Sequence, residues 1–176
     1  METMNALLER RSCKAYKPDP VPADLLDEIL EAAKYAPSAM GRQSPIILAV
    51  TNKEMRDRIS ALNAAVMGKG PEFDPFYGAP VVLVVLGDKS IAPYIYDGSL
   101  AMGNLMHAAW DKGLGSCWIH RAKEVFDSEE GKAILTELGI EGDYEGIGNC
   151  IIGYRDETVP YRDRLPRKEN YIYYVK

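Results

Sequence analysis

Within ERRSCKAYKPD, residues 9 to 19, four cationic side chains (Arg10, Arg11, Lys14 and Lys17) crowd around one hydroxyl, Ser12. Guanidinium groups form paired, charge-assisted hydrogen bonds to phosphate oxygens, and a serine hydroxyl adds a compact donor. The chemistry open to such a cluster is to hold a small anion. A second basic stretch closes the chain, with Arg155, Arg162, Arg164, Arg167, Lys168 and Lys176. Residues 9–18 carry a net +3 and residues 155–176 a net +2, while the whole chain carries −5, so the remainder sums to −10. An acidic body does not suit a duplex-binding protein. Two short basic segments suit one small anion if the fold joins them, and are solvated surface if it does not.

Other devices are missing. No G-x-x-x-x-G-K-[ST] loop, no G-x-G-x-x-G turn and no G-x-S-x-G elbow occurs. His107 and His120 lack metal-ligand spacing, and His107 reads as a core or interface residue. Three cysteines, Cys13, Cys117 and Cys150, are too few and too odd in number for a disulfide framework. Cys117 and His120 fall on opposite faces of a strand, so Cys117 is expected in the core rather than in a dyad. With no nucleophile, base or metal of its own, an enzyme of this sequence needs a cofactor to supply reactivity, and the basic ends ask for a phosphorylated one.

The elements that must position these residues follow from periodicity. At 176 residues and 47% hydrophobic content, one domain over 1–176 with a sizeable core is expected. No run reaches the length of a membrane span. METMNALLERRS lacks an apolar signal core, which makes a cytoplasmic location the expectation. MNALLERR reads as a short helix with Met4, Leu7 and Leu8 inward. Pro22 opens a longer helix with Leu25, Leu26, Ile29, Leu30 and Ala33 inward. IILAV is a short strand, and Thr51 is read as the N-cap of the helix after it. VVLVVL, residues 81–86, is apolar on both faces, as a doubly covered central strand should be. A long helix over about 92–112 turns Leu100, Ala101, Leu105 and Ala108 inward. GSCWI is strand-like, AKEVFDSEEGKAILTELG is helical in two pieces, NCIIGY is a strand, and YIYYV ends the chain as another. This order predicts an α+β sandwich.

RRSCKAY resembles the opening signature of the nitroreductase-like flavoproteins. AAKYAPSAMGRQSP, FYGAPVVLVV, DGSLAMGNLMHAAWDKGLGSCWI, IIGY and RLPRKEN resemble further family segments, in order and with fitting spacing. The chain looks like one of the short, minimal members. The resemblance implies an α/β sandwich with a central mixed sheet flanked by helices. It also implies an intimate homodimer with FMN at the interface and a C-terminal strand exchanged with the partner.

By the same resemblance Arg10, Arg11, Ser12 and Lys14 hold the FMN phosphate, ribityl chain and pyrimidine edge. Arg164 or Arg167 makes a late phosphate contact, with Arg162 and Lys168 as outside choices. Pro37, Ser38, Ala39 and Gln43 belong to the loop given by the other subunit. Asn63 matches a polar contact to the flavin ring, and Trp118, Ile119, His120 and Arg121 match the segment whose backbone approaches it. The implied reaction is ping-pong: NADH or NADPH gives hydride to the flavin, which passes electrons to a small acceptor such as a nitroaromatic or quinone. Specialised chemistry within the family, a flavin carrier, and an unrelated interaction domain are the alternatives. Three departures fall beside the flavin: Ala39 stands for a second Ser, Gly41 for an Asn, and no aromatic follows Gln43.

Overall fold

The computed structural model describes residues 3–176; residues 1 and 2, counted in the expected domain, lie outside the described residues. The strand at Val81–Asp88 (β2) has its first seven residues buried, because side chains cover the sheet on both faces. Val82, Val84 and Leu86 pack with Leu48, Ile59, Phe126 and Ile134, while Val81, Leu83 and Val85 pack with Leu26, Ile29, Met102 and Leu105. This alternation is the two-residue period of a strand. Each fully buried aliphatic side chain contributes about 1.5–3 kcal/mol relative to exposure.

The described residues form one four-stranded sheet in the order β1-β2-β4-β3, where β1 is Pro45–Val50, β3 is Gly115–Ile119 and β4 is Tyr144–Gly153. Every pair of neighbours is antiparallel. The parallel component of the expected mixed sheet is confined to one isolated bridge, Ser12 to Ser116. A helix between strands allows either direction, and the long irregular stretch before β2 returns the chain alongside β1 in the opposite sense.

Helices α2 (Ala23–Lys34) and α4 (Tyr94–Asp111) pack on one face, and α3 (Lys53–Val66), α5 (Ala122–Asp127) and α6 (Glu129–Glu137) on the other. In α2, Leu26, Ile29 and Ala33 are buried, while Leu25 and Leu30 are half-buried. In α4, Ala101 and Leu105 are buried and Ala108 half-buried, but Leu100 is exposed. The N-cap of α3 is Asn52 rather than Thr51; its side chain accepts from the backbone N–H of Met55.

One expectation is reversed. In α1 (Thr3–Glu9) only Ala6 is buried, and Met4, Leu7 and Leu8 face outward. One short helix has too little contact with the body to bury both sides, and its small residue sits against the protein. The tail at 171–176 forms no strand within this chain, and Tyr171 to Val175 are exposed. A strand needs a neighbouring backbone, and no strand among the described residues pairs with it.

Candidate functional site

The segment at 10–17 is laid against the sheet by its backbone. Cys13 N–H donates to Ser116 O at 2.9 Å and Lys17 N–H to Tyr154 O at 2.9 Å, while Ala15 O accepts from Asp156 N–H at 3.0 Å. These bonds bring the two basic stretches together. Arg11 donates to the carbonyl of Arg162. Arg164 donates to Leu8 O at 2.8 Å, to Glu9 O at 2.7 Å and to the Glu9 carboxylate at 2.8 Å. A cation on the last carbonyls of a helix is favourable, so Arg164 staples the late segment onto the end of α1.

Between the two stretches lies a cavity of about 590 Å³. Arg10, Arg11, Ser12, Lys14, Arg162, Arg164 and Arg167 line it, together with Arg155 and Tyr161. Arg155 and Arg11 lie 4.2 and 5.1 Å from the centroid of the Tyr161 ring, which holds both guanidinium groups in place. Lys168 is not in this wall and sits over Tyr171 instead. Arg10 Nη1 is buried and has no partner among the described residues. A buried guanidinium N–H without an acceptor is costly, and an anion in the cavity is the natural acceptor.

An adjoining cavity of about 190 Å³ is lined by Trp118, Ile119, His120 and Arg121, with Lys14 and Tyr77 shared between the two cavities. Lys14 Nζ lies 5.5 Å from the Tyr77 ring centroid. Trp118 lies over Gly148, where a Cβ would sit 2.3 Å from the indole nitrogen. His120 is exposed, and Arg121 adopts φ 76° as the N-cap of α5.

Asn63 is not among the residues lining this cavity. It is fully buried, and its side-chain amide donates to His120 O at 2.9 Å. Asn149, also fully buried, donates to the same carbonyl at 3.5 Å and to Ile119 O at 3.4 Å. Asn63 lies on α3 and is fully buried, so its hydrogen bond ties that helix to the 118–121 segment.

Tyr77 is positioned by Asp74. The Asp74 carboxylate accepts from Arg56 at 2.6 Å, Ser60 at 2.7 Å, Phe76 N–H at 2.9 Å and Gly78 N–H at 2.7 Å. Burial alone would raise its pKa; these hydrogen bonds outweigh burial and hold the carboxyl below its ordinary value.

Pro37, Ser38 and Gln43 lie elsewhere, in a cavity of about 450 Å³ between α2, α4 and the edge strand β1. Their loop is built on buried Asp97, which accepts from Ala39 N–H at 3.0 Å and Ser44 Oγ at 2.9 Å. Ser38 Oγ accepts from Gln43 N–H at 3.0 Å. Gly41 has φ 65°, a conformation glycine adopts freely.

All three cysteines are free and buried. Burial pushes the Cys117 thiol up, only partly offset by Ser12, Lys14 and Arg10, so it is a poor nucleophile at neutral pH. No cluster of metal-ligating side chains exists among the described residues. The sequence reading thus located the two basic stretches and the 118–121 segment. It missed Tyr77, Asp74, Asn149 and Tyr161. Only Tyr161, inside the late basic stretch, carried a local signal.

The comparisons agree with this geometry. A relative in Methanothermobacter thermautotrophicus is 34% identical over 127 residues, covering 67% of this chain and 60% of its own length. The FMN reductase [NAD(P)H] of Bacillus subtilis is 29% identical over 182 residues, covering 95% of this chain and 71% of its own. The chain thus spans less than two thirds of the first relative. A solved nitroreductase with bound FMN from Bacteroides fragilis superposes with TM-score 0.89 at 29% identity, over 100% of both chains. The nitroreductase family model matches residues 7–154. With most of the chain matched by the family model, this protein belongs to the nitroreductase family.

Proposed function

We propose that the chain is an FMN-dependent oxidoreductase that takes electrons from NADH or NADPH and passes them to an electron-poor small molecule such as a nitroaromatic or quinone. The observation that carries this reading is the convergence of the two basic stretches on one cavity whose wall holds the unpartnered Arg10 Nη1. Residues 10–14 and 167 suit a phosphomonoester, so the residues present fit FMN. The relative named FMN reductase and the neighbour with bound FMN support the same cofactor.

FMN, when bound, supplies the two-electron redox chemistry that no side chain here offers. Arg10, Arg11, Ser12 and Arg167 hold the phosphate end. Arg164 contributes by fixing the late segment, since its guanidinium is engaged on Leu8 and Glu9. Lys14, which lines both cavities, would offer a positive charge to the reduced flavin when FMN is bound. The Trp118–Arg121 segment offers backbone donors beside it, so His120 need not act as an acid or base.

The proposal includes a homodimer, in which the partner's copies of Pro37, Ser38, Ala39 and Gln43 complete the site. Within one chain those residues lie away from the basic cavity. Met4, Leu7, Leu8, Ile172 and Val175 leave apolar surface uncovered, and the free edge of β1 is open to an exchanged C-terminal strand. A single domain over 1–176 and a cytoplasmic location complete the reading. No helix among the described residues is long and apolar enough to cross a membrane.

The test is the absorption spectrum of purified protein, followed by anaerobic addition of NADH or NADPH. Flavin bands that bleach support the proposal. Bands that persist point to a flavin carrier, and a colourless protein that takes up no added FMN overturns it.

A further inference from the structure

The basic cavity holds more positive charge than one phosphomonoester requires. Among the described residues its wall carries seven cationic side chains, Arg10, Arg11, Lys14, Arg155, Arg162, Arg164 and Arg167, against one carboxylate, Asp163. Of the seven, Arg164 is ion-paired with Glu9, and Arg155 acts on the carboxylate of Asp156. A phosphomonoester brings about two negative charges at neutral pH. The excess is concentrated in a protein whose net charge is −5, so it is not a consequence of overall composition.

The surplus is also built. Arg155 donates to Val159 O and shares the Tyr161 ring with Arg11, and Arg11 in turn holds the carbonyl of Arg162. These contacts order the 155–162 segment and leave the exposed Arg162 side chain on the rim. Exposed arginines held on an ordered rim select for charge on a ligand that enters after the cofactor.

We infer that the electron donor is NADPH in preference to NADH, with its 2′-phosphate recognised by the rim arginines, Arg162 foremost. This rests on the function proposed above and narrows its donor. The two nicotinamide donors share a pyrophosphate, with about one charge per bridging phosphate. They differ by the 2′-phosphate, about two further charges. FMN alone brings about two negative charges, so positive charge remains in the wall even after Asp163 and the Glu9 paired with Arg164 are counted. The 2′-phosphate lets NADPH answer about two more of those charges than NADH does.

The experiment measures kcat/KM of the FMN-loaded protein for NADPH and for NADH, with menadione as acceptor, for wild type and Arg162→Ala. Wild type is expected to favour NADPH by about tenfold or more, the scale of one charge-assisted contact. Arg162→Ala is expected to remove most of that preference while FMN stays bound and the NADH constant holds. Added salt is expected to erode the NADPH advantage specifically, because exposed charges are screened. Equal or better use of NADH by wild type overturns the inference, as does an Arg162→Ala variant that loses both donors equally or releases FMN. If neither donor bleaches bound flavin, the broader reading fails and this inference fails with it; turnover with NADH alone overturns only the donor preference.

Discussion

The side-chain amide of Asn63 donates to the carbonyl oxygen of His120 at 2.9 Å, across 57 residues of sequence. Asn149 reaches the same carbonyl at 3.5 Å from the other side of the core. Two buried donors on one acceptor fix the peptide that precedes Arg121, which sits at φ 76°. A non-glycine residue in that conformation costs about 1–2 kcal/mol, so the surroundings must enforce it.

Asn63→Ala is therefore expected to lose about 1–3 kcal/mol of stability, the cost of unmaking a buried hydrogen bond. It should also lower the rate of flavin reduction more than it weakens FMN binding, because the 118–121 backbone loses its hold. Asn63→Asp keeps the shape, lacks the donor, and should do the same. Urea unfolding and stopped-flow reduction check the two effects separately. A normal reduction rate in a destabilised variant would reduce the clamp to a purely structural role.

Arg10→Ala and Ser12→Ala should weaken FMN retention, each by about tenfold or more, as expected for loss of a charge-assisted contact. Arg164→Ala should weaken it less, because that side chain is spent on Leu8 and Glu9. Fluorescence titration of the apoprotein with FMN ranks the three. An Arg10→Ala variant with wild-type affinity refutes the phosphate assignment.

Asp74 carries the pH dependence of the Tyr77 loop. Its folded pKa lies below the ordinary 3.8, so its stabilising contribution is full above that value and is lost as pH falls through the folded one. Asp74→Asn should be less stable than wild type at pH 7, and the gap should narrow as pH drops below 3.8. Urea midpoints measured across that range give the difference directly. A gap independent of pH would remove the carboxylate from the explanation.

Deleting the six residues after Asn170 should shift the protein from dimer toward monomer and weaken FMN binding together. The tail is apolar, aromatic and uncovered in the single chain, and the proposed site takes residues from both subunits. Light scattering coupled to size exclusion reads the first effect and flavin absorbance the second. A truncated protein that stays dimeric with full FMN content would show that the tail is not the exchanged strand.

The sequence by itself determined the local elements and the chemical type of the site. The apolar run at 81–86 makes β2 central, and the apolar spacing in α2 selects the stripe of Leu25, Leu26, Ile29, Leu30 and Ala33, three of them buried, because side-chain period follows from backbone geometry. The density of arginine around Ser12 marked the stretch as suited to a small anion. Tertiary structure decided the rest, because it rests on contacts that no local pattern contains. Arg164 is spent on carbonyls 155 and 156 residues away, and Asn63 on a carbonyl 57 residues away. The outward face of α1 and the unpaired tail follow from what the rest of the chain can cover. A pattern of apolar residues states that a surface should be buried; only the assembled fold determines whether this chain supplies the cover.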